Sequence, residues 1–176
     1  MDGHLKTLQI IGFKNSGKTA FIEKLISACR EAGRCVGVVK HHGHGELDKH
    51  DQHKDTGKFR DSGARVTGIA AGGALEMIWD RPGKEWKLEE MIAFYQIMPV
   101  DIVLVEGFKG AGLEKIALVR NFEEFKKMKG LVNLCAIISR DVTDFESPGE
   151  VPLFHISEEN RYFPWVLSRL GVDSFV

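Results

Sequence analysis

Near the start of the chain, Gly12-Phe13-Lys14-Asn15-Ser16-Gly17-Lys18-Thr19 follows the spacing G-x-x-x-x-G-K-[ST]. Each residue type has a use there. The glycines let the backbone turn tightly with its N–H groups inward. A lysine at the seventh position reaches the β and γ phosphates of a nucleoside triphosphate, and the hydroxyl after it suits a magnesium ion. The positive end of the helix that follows adds to the anion nest. Gly12, Asn15, Ser16, Gly17, Lys18, Thr19 and Ala20 are therefore the candidate phosphate-binding residues. The competing reading is an ordinary glycine-containing turn between a strand and a helix.

Such a site also needs a carboxylate to hold the metal, directly or through water. It should stand at the C-terminal end of a neighbouring strand. In Asp101-Ile102-Val103-Leu104-Val105-Glu106-Gly107, four apolar residues lead to an acid and a glycine. Glu106 is at the right end, so it is assigned to the metal with Thr19, and to catalytic positioning with Lys18. Asp101 is at the far end of the same strand and is assigned a capping role. Without that chemistry, Glu106 would be a solvated strand-end acid.

After Val36–Val39 the chain turns polar, with His41, His42, His44, His50 and His53 in one segment. Histidine and aspartate are good transition-metal ligands. The spacing, however, is not a zinc signature, so a solvated substrate loop is the preferred reading. His41 stands at the strand end and is the one singled out as a ligand-binding residue. Asp48, Asp51 and Asp55 could each reach the metal or the γ phosphate, and Asp55 is carried as the metal ligand. Arg60 could meet an anion or be a surface charge.

These residues need elements to carry them. Leu8–Ile11 reads as a buried strand, and Lys18–Ala32 has helical apolar spacing at Ile22, Leu25, Ile26 and Cys29. With Val36–Val39 this makes a βαβ unit. Asp55–Ala64 reads as a short helix. Val66–Ala70 and Ala74–Trp79 read as a hairpin across Gly72-Gly73. Leu88–Ile97, Phe122–Met128 and Glu158–Leu170 read as helices. Ile116–Val119, Leu134–Ile138 and Val151–Ile156 read as strands. Together they predict an α/β fold: a mostly parallel sheet with helices on both faces, in P-loop NTPase architecture with a β-hairpin insertion. The whole chain, 1–176, is read as a single nucleotide-binding domain.

Composition narrows the partners. The chain has 176 residues, a net charge of −1 and three cysteines. A near-neutral chain gives no support for nucleic-acid binding. Three scattered cysteines are not a disulfide framework. No apolar run approaches the roughly 20 residues that cross a bilayer, and the first residues lack a secretory h-region. The expectation is a soluble, cytoplasmic protein with no membrane partner.

Four segments together resemble the MobB family, the molybdopterin-guanine dinucleotide biosynthesis protein B. They are the phosphate loop, the strand running into Lys40-His41-His42, the stretch Lys54-Asp55-Thr56 to Arg60 and Ser62-Gly63-Ala64, and Leu104-Val105-Glu106-Gly107-Phe108-Lys109. The resemblance implies a protein that binds GTP with Mg²⁺ and is at most a weak GTPase. It would assist attachment of GMP to molybdopterin beside the nucleotidyltransferase MobA. It also implies a homodimer with the sheet extended between subunits. An N-K-x-D guanine motif is absent. Ser139-Arg140-Asp141 stands in a related place, where Asp141 could read guanine or simply be a turn aspartate. The runner-up functions are a P-loop small-molecule kinase and a nucleotide-dependent adaptor without significant turnover.

Overall fold

The computed structural model describes residues 5–41 and 55–172. The other loop candidates, His42, His44, Asp48, His50, Asp51 and His53, lie outside the described residues. In chain order the elements are β1 (Lys6–Gly12), α1 (Lys18–Glu31), β2 (Val36–Lys40), α2 (Asp55–Asp61), β3 (Val66–Ala71), β4 (Ala74–Trp79), α3 (Leu88–Gln96), β5 (Ile102–Glu106), β6 (Lys115–Val119), α4 (Phe122–Lys126), β7 (Leu134–Ser139), β8 (Leu153–His155) and α5 (Glu159–Arg169). They divide between two compact units, one over residues 42–87 and one over the rest.

The larger unit holds a six-stranded sheet in the order β2-β5-β1-β6-β7-β8, with every pairing parallel. Both faces of such a sheet must be covered, because its strands are apolar on both sides. The period of two along each strand divides the side chains between those faces. Leu8 and Ile10 of β1 pack with Phe21 and Leu25 of α1 and with Tyr162 and Val166 of α5. Ile11, one residue out of phase, packs with Met128 beyond α4. In β5, Ile102 and Leu104 join the α1–α5 side, while Val103 and Val105 pack with Leu88 of α3.

From β1 the chain crosses to β2 on one side, and from β5 it crosses back past β1 to β6. The crevice at the C-terminal end of β1 is therefore the topological switch point, where open α/β sheets bind ligands. The strand ends Gly12, Lys40, Glu106, Val119, Ser139 and His155 all lie along this edge.

The smaller unit pairs β3 and β4 antiparallel, with Ala71 opposite Ala74. Gly72 and Gly73 have φ of 56° and 82°, the doubly left-handed turn that suits the twist of a tight hairpin. Among the described residues no helix is long and apolar enough to cross a membrane.

Candidate functional site

The buried run of β1 ends at Gly12 because nothing larger fits. A Cβ there would stand 2.4 Å from both Leu118 O and Ser16 Oγ. The loop then turns through Asn15 at φ 63° and Gly17 at φ 97°. These left-handed positions are cheapest for glycine and tolerated by asparagine. Within the turn Ser16 N–H donates to Phe13 O at 3.3 Å. The first helical bond of α1 runs from Phe21 N–H to Gly17 O at 3.0 Å. The N–H groups of Lys18, Thr19 and Ala20 precede it, so helix geometry leaves them without an acceptor in α1.

Two observations fit this loop to phosphate. Ser16 is 2% exposed, yet its Oγ has no hydrogen-bond partner, and buried hydroxyls are ordinarily paired. The Lys18 ammonium is folded onto the loop itself, donating to Phe13 O at 2.7 Å. Burial pulls its pKa below the ordinary lysine value; Glu106 opposes that, and Lys109 and Lys40 add to it.

Glu106 ends β5 beside β1. Its Oε2 lies 3.5 Å from Thr19 Oγ1 and 3.3 Å from Lys40 Nζ. Hard oxygen donors from a threonine and a carboxylate are what a magnesium ion takes, so the pair fits that ion. The backbone beyond is shaped for close approach. Gly107 has φ 95° and Phe108 φ 52°, and a Cβ on Gly107 would meet His41 Cβ at 3.0 Å. His41 N–H donates to Glu106 O at 2.9 Å, and its ring packs on Phe108 with centroids 4.6 Å apart. Lys109 Nζ lies 4.1 Å from the centre of the Phe13 ring, a cation–π contact. At the opposite end of β5, Asp101 Oδ2 accepts from Cys35 N–H at 2.7 Å, which is a capping contact.

Asp141 follows β7 on the same edge. Its Oδ1 accepts from Thr143 N–H at 2.9 Å. That bond, with the Thr143 side chain, holds the carboxyl below its ordinary pKa. Asp55 opens α2 in the smaller unit, exposed and 3.2 Å from Lys58 Nζ. Arg60 is also in that unit, with its Nη1 donating to Thr67 Oγ1 at 3.1 Å and its Nε 3.7 Å from Asp80 Oδ2. These contacts make it a tie between α2 and the hairpin.

Two positioning residues escaped the sequence reading. Gln9 is fully buried in β1, where its Nε2 donates to Gly107 O and Phe108 O at 2.5 and 2.6 Å. It pins the turn after Glu106, and its signal was a polar residue inside an apolar strand. His155 ends β8. Its Nε2 lies 2.8 Å from Arg140 O, and its Nδ1 lies 2.6 Å from Ser157 Oγ. A carbonyl only accepts, so the neutral ring carries its hydrogen on Nε2 and accepts the Ser157 hydroxyl at Nδ1. His155 thus clasps the turn that presents Asp141.

A phosphate-loop motif at the switch point of a parallel sheet, with an acid facing its threonine from the next strand, defines a P-loop NTPase-like fold. Residues 7–140 match the family described as Molybdopterin guanine dinucleotide synthesis protein B. A probable molybdopterin-guanine dinucleotide biosynthesis adapter protein of Bacillus subtilis (strain 168) is 35% identical over 95% of this chain and 94% of its own length. The adapter protein of Escherichia coli (strain K12) is 30% identical over 65% of each chain. The crystal structure of Bacillus subtilis MobB superposes with a TM-score of 0.79 at 34% identity, over 94% of this chain and 98% of that one. A MobB homologue from Bacillus stearothermophilus gives 0.74 at 31% identity, over 94% and 97%. The chain belongs to the MobB family.

Proposed function

We propose that the chain binds GTP with Mg²⁺ at the phosphate loop. In this reading it serves molybdenum cofactor maturation as an accessory protein, assisting formation of molybdopterin guanine dinucleotide beside a MobA-type nucleotidyltransferase. The observation that carries the nucleotide site is the 3.5 Å approach of Thr19 Oγ1, in the first turn of α1 beside Lys18, to Glu106 Oε2 at the end of β5. The accessory role is supported by family membership and by the adapter role in the relatives' names.

Each residue then has a task. The backbone N–H groups of Asn15, Gly17, Lys18, Thr19 and Ala20 and the Ser16 hydroxyl bind phosphate oxygens. Lys18 leaves Phe13 O for the β and γ phosphates. Thr19 and Glu106 hold the magnesium. The ion when bound supplies charge neutralisation at the phosphates. His41, fixed on Phe108, lines the mouth of the site. The Asp141 carboxylate accepts from guanine N1–H and the N2 amino group, which adenine does not offer. These groups position and neutralise, and none is set up as a strong general base, so turnover is slow.

Calorimetric titration with GTP and ATP in Mg²⁺ tests the reading. GTP binds in preference, and Lys18→Ala weakens it by about 10- to 100-fold, the value of a lost charged hydrogen bond. Asp141→Asn moves the preference from guanine toward xanthine nucleotides, because the amide donates where the carboxylate accepted. ATP preference in the wild type overturns the guanine assignment. Normal GTP binding by Lys18→Ala overturns the site.

A further inference from the structure

Three lysines gather at the switch point, where Lys18 feels the charges of Lys109 and Lys40 as well as that of Glu106. Lys18 belongs to the phosphate loop, and Lys109 is seated on the Phe13 ring. Lys40 is placed by the sheet itself. It is the register partner of Glu106 in the parallel β2–β5 pair, and register partners project to the same face. Its Nζ lies 3.3 Å from Glu106 Oε2, the same oxygen that faces Thr19 Oγ1. The ammonium and the proposed magnesium ion therefore compete for one atom.

The two partners differ in freedom. The Glu106 side chain is 13% exposed and the Lys40 side chain 55%. The backbone between them is fixed, since His41 N–H donates to Glu106 O and the His41 ring packs on Phe108. When a divalent cation arrives, the lysine stem is the part that can swing away into water.

We propose that Lys40 is the placeholder cation of the metal position, neutralising Glu106 while no metal is bound and yielding its oxygen when one arrives. The proposal rests on the reading of Thr19 and Glu106 as the metal ligands. It makes magnesium and Lys40 mutually exclusive at Oε2. Magnesium then binds more weakly than its two donors alone would dictate. The released ammonium stays beside the bound phosphates as an added positive charge.

The test uses the full-length protein, a mant-labelled GTP with the labelled ATP as a second probe, and a magnesium titration. Lys40→Met keeps the length of the stem and removes the charge. It should lower the magnesium concentration for half-maximal tightening by about two- to fivefold, the range that an ion pair of this exposure supports. In EDTA the same variant should bind nucleotide more weakly, because Glu106 then faces the phosphates uncompensated. These opposite movements separate the role from simple damage, which weakens both. Lys40→Arg should keep the wild-type profile. An unchanged or raised magnesium midpoint in Lys40→Met overturns the placeholder role alone. A wild type whose nucleotide affinity ignores magnesium, with Glu106→Gln indistinguishable from it, overturns the metal site and this proposal together.

Discussion

At the scale of single residues, environment decides which groups can react. The thiolate is the reactive form of cysteine, so a thiol whose pKa is raised is inert near neutrality. Burial raises the pKa of Cys29. Burial, with Glu114 nearby, raises that of Cys135 to about 11. Cys35 is exposed at the entry to β2. Iodoacetamide at pH 7.5 should label Cys35 first, and Cys135 should respond only as the pH approaches 11. Peptide mass spectrometry over a time course checks this, and equal labelling of Cys35 and Cys135 would refute it. Legibility follows the same physics. Gly12 and Lys18 were readable because their roles depend on residue type at a fixed spacing. Gln9 and Lys115 were not. Lys115 is fully buried, and its ammonium donates to the carbonyls of Ala111 and Val132. A polar residue inside an apolar strand marks each as unusual, but the Gln9 partners lie 98 and 99 residues on and Val132 lies 17 on from Lys115, so the local pattern does not show what they hold.

At the scale of elements, the outer strand β2 is the exposed flank of the sheet, and such edges must be blunted. Tyr95 of α3 does this, its hydroxyl donating to Val38 O at 2.7 Å. Gly37 makes the contact possible, since a Cβ there would come within 2.4 Å of the Tyr95 ring. Gly37→Ala should push the ring off the edge and cost about 1–3 kcal/mol, as overpacking typically does. Denaturant unfolding monitored by far-UV circular dichroism gives the number, and an unchanged midpoint would show that the ring relaxes without loss. This glycine reads in sequence only as one small residue in a strand, and its reason comes from a helix fifty residues later. The elements themselves were legible because their apolar periods are strong. The last strand is shorter than the expected Val151–Ile156. Pro152 has no N–H to give a ladder, and the regular pairing runs over Leu153–His155 opposite Ile137–Ser139.

At the scale of the whole molecule, the hairpin unit bears on the homodimer that the family resemblance implies. Register places Leu75, Met77 and Trp79 opposite Ala70, Gly68 and Val66, so one face of the ribbon is apolar along its length. Leu75, Met77 and Trp79 are 66%, 59% and 45% exposed. A two-stranded ribbon is marginal in water on its own, and among the described residues β3 and β4 pair only with each other. A second copy of the chain offers the same apolar face and the same free strand edges, which is what a two-fold interface requires. It would also extend the ribbon across the subunits. Leu75→Glu with Met77→Glu should convert the dimer to monomer, because two desolvated carboxylates per subunit would then meet across the two-fold axis. Sedimentation equilibrium over a range of concentrations measures the shift. The phosphate loop lies in the other unit, so nucleotide affinity in the monomeric variant separates two roles for the dimer. Unchanged affinity means that the dimer serves assembly with partners. A loss means that the second subunit completes the nucleotide site. A wild type that is monomeric at all concentrations would overturn the expected homodimer.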